Sequence, residues 1–144
     1  MSDENKAAAR RVVERGFNEG RFEVIDEVVG QDFVGHDPVD PDDTVGIDGL
    51  KARIEAFREA FPDLEVSLEE VVADGDVVAT RWVARGTHDG ELMGMAATGR
   101  STESHGMTID RFEDGKLVES WDNWNALGLL QQIGALPEAE TAAT

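Results

Sequence analysis

Apolar residues near the N-terminus recur at helical spacing: Ala9, Val13 and Phe17, with Val12 beside them, form one stripe. Ser2 and Asp3 precede it as cap candidates and Gly20 closes it, so the pattern predicts a first helix. Phe22, Ile25, Val28 and Val29 repeat the spacing briefly before Gly30, which suits a left-handed helix end and predicts a short second helix. The segment QDFVGHD then reads as a short extended piece. Asp37 to Asp43 carries two prolines and four aspartates in seven residues, the composition of a solvated loop, and Gly46 and Gly49 mark its exit. The clearest helix follows, because Leu50, Ile54, Phe57 and Phe61 recur at steps of four, three and four before Pro62 forbids continuation.

The period then changes from helical to alternating. Leu64, Val66 and Leu68 alternate with Glu65, Ser67 and Glu69, as in a half-buried strand. Asp74-Gly75 is a turn, and VVATRWVARGTH from Val77 is a second strand. A loop from Gly90 to Gly99 leads to a third strand, Ser101 to Phe112. Asp114-Gly115 is a hairpin signal, Lys116 to Trp124 a fourth strand, and LGLLQQIG a closing short helix or turn. Helices first and antiparallel strands after them predict an α+β domain with helices on one face of a curved sheet. One domain over 1–136 is expected, with 137–144 as a frayed tail.

Composition narrows the function. Across 144 residues, 31 acidic side chains face 13 basic ones, for a net charge of −18. Such a surface repels phosphate backbones and anionic headgroups, which argues against nucleic acid and membrane as partners. With 40% hydrophobic residues, including six Phe and three Trp, there is material for a core, so the acidity belongs to a folded surface. The absence of Cys excludes disulfides, thiolate nucleophiles and Cys-ligated metals. No apolar run suits a membrane span or a signal peptide, so a cytoplasmic location is expected. Of the basic residues only Lys6, Lys51 and Lys116 are lysines, a bias that resembles proteins of salt-loving archaea.

On the last strand, alternation places Lys116, Val118, Ser120 and Asp122 on one face and Leu117, Glu119 and Trp121 on the other. Asp122 is the one acid in WDNWN. Burial beside indole rings would raise its carboxyl above the unperturbed value of about 3.9, toward the range useful for general acid/base work. The alternative is an Asp that caps the turn at the strand end. His36 could act as an acid/base or an orienting donor, or simply be a satisfied polar residue at a strand end. His88 ends the strand face of Thr80, Trp82 and Ala84 and could overlook a cavity mouth. His105 shares a face with Met107 and Ile109, which the pattern assigns neither to a pocket nor elsewhere. Arg81, Arg111 and Glu119 could form a cross-strand ion pair, more plainly scaffold than catalysis. The acidic run Asp37, Asp40, Asp42 and Asp43 lacks the glycine and glutamate of a calcium loop, and no two His sit at ligand spacing, so no metal site is expected.

The strings GTHDGELMGMAATGR and RFEDGKLVESWDNWNALGLLQQIG, extended back through FNEGRFEVIDEVVGQDFVGHDP, resemble the SnoaL-like polyketide cyclase (ester cyclase) family of the nuclear-transport-factor-two-like superfamily. The resemblance covers most of positions 6 to 136. It implies a cone-shaped, cystatin-like α+β fold whose curved antiparallel sheet wraps around the N-terminal helices, with a pocket inside. It also implies a small-molecule substrate, no metal, no cofactor, and self-association as a homodimer or higher homo-oligomer. The family's characterised cyclases close a ring by intramolecular aldol condensation on a polyketide methyl ester, with an aspartate as acid/base, and Asp122 occupies that place. His36 and His88 are the further catalytic candidates. Trp82, Thr108, Ser120 and Trp124 are expected to meet substrate. Two histidines of the cyclases are replaced here by Thr108 and Ser120, which thins the donor set.

Three readings follow. The first is a cofactor-independent enzyme performing aldol-type cyclisation, isomerisation or hydration on a largely apolar carbonyl compound. The second is an epoxide hydrolase or ketosteroid-isomerase-like enzyme, which the absence of any Tyr weighs against. The third is a non-catalytic binding or dimerisation module of the same superfamily.

Overall fold

The computed structural model describes residues 2–137. Helix α1, Ser2–Arg11, passes directly into a π-helical stretch, Val12–Phe17, and together they turn Ala8, Ala9 and Val12 into the core. Asp3 and Glu4 in the first turn of α1 and Arg10 and Arg11 in its last complement the helix dipole. Helix α2, Phe22–Val28, is the expected short second helix, but it has no left-handed end. Val29 is already extended, at φ −104° and ψ 135°, and strand β1, Val29–His36, starts there. Gly30 therefore lies within a strand, a correction to the expected helix stop.

A two-residue strand, β2 (Thr44–Val45), precedes helix α3, Gly46–Ala60. Then come β3 (Glu65–Asp74), β4 (Val77–Thr87), β5 (Ser101–Glu113), β6 (Lys116–Trp124) and α4 (Ala126–Gln132). The six strands form one curved sheet in the order β2-β1-β6-β5-β4-β3. Every neighbouring pair is antiparallel except β1 and β6, which run parallel with Gly35 opposite Ser120 and His36 opposite Trp121. The sheet is thus mixed, not wholly antiparallel as expected. The chain leaves β1 into α3 and returns to its flank only after the β3–β5 meander, and that long connection permits a parallel pair. Asp114 (φ 50°) and Gly115 (φ 78°) take the two left-handed positions that a tight β5–β6 hairpin turn requires.

One irregularity decides which side chains face inward. Along β6 the register slips between Arg111/Glu119 and Phe112/Leu117, leaving Val118 as the extra residue of a bulge. Simple alternation put Leu117 with Glu119 and Trp121. The bulge instead turns Leu117 to the inner face with Ser120 and Asp122, and it is buried.

The helices cover the concave side. One cluster joins Ala9, Val12, Ile25, Val29, Phe33, Leu50, Ile54, Phe112 and Leu117, and a second joins Ala60, Phe61, Leu92, Leu129 and Ile133. Phe57 packs against the second, half-buried on the wall of a cavity. Among the described residues no helix is long and apolar enough to cross a membrane. Of the expected tail, only Pro137 falls within the described residues.

Ile54 is fully buried. Ile54→Ala is expected to lower the unfolding free energy by about 2–5 kcal/mol. Phe57→Ala should cost less, because part of its ring already borders open space. Urea unfolding of both variants checks this, and a larger loss for Phe57 would contradict the placement of the core.

Candidate active site

The concave face of the sheet and the helices above it enclose a cavity lined mainly by apolar side chains, among them Val12, Phe17, Phe33, Leu50, Phe57 and Leu129. Its polar groups come from the inner faces of β4, β5 and β6, and from His36, Asp37, Thr44 and Arg53. Thr108 stands opposite Asp122 in the β5–β6 register, and Thr80 opposite Thr108 in the β4–β5 register. Thr108 donates its hydroxyl to Asp122 Oδ1 at 2.6 Å, and Trp82 Nε1 donates to Thr108 Oγ1 at 2.9 Å. The indole N–H can only donate, so it occupies Thr108 as an acceptor and directs the threonine hydrogen to Asp122. Trp82 lies across Gly106: a Cβ there would stand 2.4 Å from the indole. Glycine at this position is what lets the ring reach Thr108.

Asp122 keeps 27% of its side-chain surface open and lines the cavity. Burial pushes its carboxyl above the ordinary carboxylate range. The Thr108 hydrogen bond and the Arg53 charge pull it back, and the Asp37 charge adds to the rise. Arg53 Nη2 lies 3.8 Å from Asp122 Oδ2. The same guanidinium is clamped by Asp37 and, at 2.5 Å, by Asp40 Oδ2, and it lies over the Phe57 ring, 5.2 Å from its centroid.

Asp37 corrects the reading of its segment as wholly solvated. Its side chain is only 4% exposed, ion-paired to Arg53, and accepts a hydrogen bond from Trp124 Nε1 at 2.8 Å. Trp124, expected to meet substrate, lines the cavity with its N–H committed in this way and its ring edge-on to Phe57. Ser120 also lines the cavity, but its hydroxyl goes to Asp110 Oδ1 at 2.5 Å and not to Asp122. Asp110 is buried, and desolvation, reinforced by the Asp122 charge and opposed by the Ser120 hydrogen bond, pushes its carboxyl up to about 7. A carboxyl raised on folding is favoured while protonated. For Asp110 that contribution is complete below the unfolded value near pH 4 and is lost as pH rises through about 7.

The two catalytic histidine candidates do not join this group. The His36 ring is held by Glu119 Oε2 at 2.7 Å and by Asp43 Oδ1 at 3.0 Å, and it stacks on Trp121. Both nitrogens are engaged, and the Glu119 and Asp43 hydrogen bonds raise its pKa. His88 is fully buried, packed on Phe61, with Nδ1 held by Thr98. Phe61 forms the cavity wall there, and His88 is not among the lining residues. His105 pairs with Glu103 on the outer face. The expected cross-strand pair exists as Arg111 with Glu119 at 3.0 Å, while Arg81 takes Glu70 instead. Among the described residues no three His, Asp or Glu converge as a metal site.

Sequence reading missed Arg53, Asp37 and Asp110. For Arg53 a signal was present: it stands three residues after Leu50 and four before Phe57, on the apolar face of its helix, where a charge needs a buried partner.

The fold and its lined cavity define a cone-shaped α+β pocket protein, and the comparisons with known proteins agree. A model of the SnoaL-like polyketide cyclases matches residues 7–133, and the chain belongs to that family. Aklanonic acid methyl ester cyclase AcmA of Streptomyces galilaeus is 29% identical over 140 residues, 95% of this chain and 96% of its own. AclR of Streptomyces galilaeus, provisionally assigned as a hydroxylase, superposes with a TM-score of 0.84 at 31% identity, covering 99% of this chain and 88% of that one. A SnoaL-like protein of Jannaschia sp. CCS1 superposes with a TM-score of 0.87 over 95% of this chain and 96% of its own, and at 24% identity it speaks for the fold.

Arg53→Met leaves Asp37 buried without its cation and is expected to cost about 3–5 kcal/mol at neutral pH. It should also raise the Asp122 carboxyl further, since the charge that lowers it is gone. Denaturation of the single variant beside an Asp37→Asn/Arg53→Met double variant checks this. The double variant should recover much of the loss, and a single variant as stable as the parent would contradict the clamp.

Proposed function

We propose that this protein is a small-molecule enzyme that performs acid/base chemistry on a largely apolar carbonyl compound, an aldol-type ring closure resembling that of the ester cyclases. The observation that carries the reading is Asp122: a desolvated carboxyl at the wall of an apolar cavity, with one oxygen fixed by Thr108 and the other left toward Arg53 and the cavity. Ring closure needs a proton taken from a carbon beside a carbonyl and a proton given to the acceptor oxygen. A raised carboxylate is a stronger base than a solvated one, and it sits where apolar walls would hold the two reacting carbons together. The Arg53 charge, 3.8 Å away, opposes the rise caused by burial and favours the ionised form of Asp122. Trp82 and Thr108 hold its orientation. A substrate whose enolate is stabilised by its own neighbouring carbonyls supplies the electron sink, so the scheme uses no cofactor.

Self-association belongs to the same reading, and the outer sheet face offers a surface for it, where Met107, Ile109 and Trp121 are exposed. The alternative is a binding module, supported by the thinner donor set that Thr108 and Ser120 give where the resemblance implies histidines.

Aklanonic acid methyl ester, the compound in the relatives' names, is the first probe. The protein should convert it to a ring-closed isomer of unchanged mass, with a rate that rises as Asp122 ionises. Asp122→Asn should lose about 10²–10⁴-fold in kcat. An unchanged rate in Asp122→Asn would remove Asp122 from the mechanism. No acceleration of this or related β-dicarbonyl esters would favour the binding module.

A further inference from the structure

The scheme above leaves one carboxyl of the cavity unused. Asp110 lines the same cavity as Asp122, and in the β5–β6 register it faces Ser120 while Asp122 faces Thr108. The two acids are therefore diagonal neighbours on adjacent strands, with backbones about 7–8 Å apart. Ser120 donates to Asp110 Oδ1. Among the described residues Asp110 Oδ2 has no hydrogen-bond partner, yet the single sealed polar atom without one is Nε2 of His88. Asp110 Oδ2 therefore opens to the cavity.

We propose that Asp110 is the proton donor of this site, a carboxylic acid whose free oxygen hydrogen-bonds the ligand's carbonyl oxygen and protonates it as Asp122 takes the proton from carbon. This rests on the acid/base reading given above and deepens it. The surroundings assign the roles. Asp122 has Arg53 beside it, whereas Asp110 has a serine hydroxyl, Val78 opposite on β4, and no cation acting on it. The other charged side chains that line the cavity are Asp37, Arg53 from α3 and Arg85 from β4, with His36 at its border. Two neighbouring carboxyls that share a low-dielectric site do not both ionise readily, and the one without a cation keeps the proton. Burial and the Asp122 charge accordingly hold Asp110 protonated up to about pH 7.

The step balances without another reactant. The Asp122 carboxylate breaks the C–H bond, the enolate carbon bonds to the acceptor carbonyl carbon, and the displaced π pair on oxygen takes the Asp110 proton. The product is an isomer of the substrate. One proton passing from Asp122 to Asp110 restores the enzyme.

Two readouts test this. Carbon-detected carboxyl titration, assigned with Asp110→Asn, should show Asp110 titrating near neutrality in the parent and lower in Asp122→Asn, where the like charge is gone. A midpoint in the ordinary carboxylate range, or one indifferent to Asp122→Asn, overturns the proposal. The second readout is binding of 1-hydroxyanthraquinone, followed by its visible absorption, at pH 6 and pH 8. Parent affinity should fall roughly tenfold as the donor is lost, while Asp110→Asn, which keeps an N–H, should show little change. Absence of binding, or equal pH dependence in both proteins, overturns the proposal. Both results as expected, with no turnover of the methyl ester, would defeat the cyclase reading and leave Asp110 as the cavity's donor.

Discussion

A guanidinium taken out of water must be surrounded by carboxylates, and Arg53 meets that demand by gathering parts of the chain that are distant in sequence. It belongs to α3, Asp37 and Asp40 to the loop after β1, and Asp122 to the last strand. The arginine side chain is 15% exposed and Asp37 only 4%, so neither could stay where it is without the other. The clamp fixes the acidic loop against the helix, places Trp124 through its hydrogen bond to Asp37, and sets a positive charge within reach of Asp122. The geometry of the site rests on this one cation.

Around it the sheet does something unusual for a half-buried strand. The inner face of β5 carries Thr102, Ser104, Gly106, Thr108 and Asp110, while Met107 and Ile109 stand outside and exposed. Polar side chains face the interior because the interior there is a cavity, where Thr108 donates to Asp122 and accepts from Trp82, and Asp110 accepts from Ser120. Desolvation thus acts on two carboxyls at once. Of the two, only Asp122 has a cation acting on it, and the roles proposed above rest on that difference.

The elements and their order could be read from the sequence because each depends on local pattern: the Leu50–Phe61 stripe, the alternation from Leu64, the Asp114-Gly115 turn. The parallel β1–β6 pair could not, since nothing local records a pairing made across most of the chain. The orientation of Leu117 could not either, because one bulged residue, Val118, reverses strict alternation. Asp122 was legible as an acid among aromatics, and Thr108 and Trp82 as residues expected to meet substrate, but the hydrogen-bonded chain they form to Asp122 was not. His36 and His88 attracted attention by residue type alone. Their partners, Glu119, Asp43 and Thr98, are set by tertiary contacts that engage both nitrogens of His36 and Nδ1 of His88 and leave neither ring directed at Asp122. Asp37 was hidden in a composition that reads as solvent-loving, and only Arg53 explains its burial.

The family assignment gives the fold and the pocket, and the chemistry turns on whether Asp122 is a carboxyl held away from water for proton transfer. Carbon-detected NMR titration of that carboxyl, assigned with Asp122→Asn, asks this directly and needs no substrate. A midpoint above the unperturbed value of about 3.9 is expected from its burial. A midpoint at or below that value would mean an ordinary solvated or salt-bridged aspartate and would contradict the acid/base role.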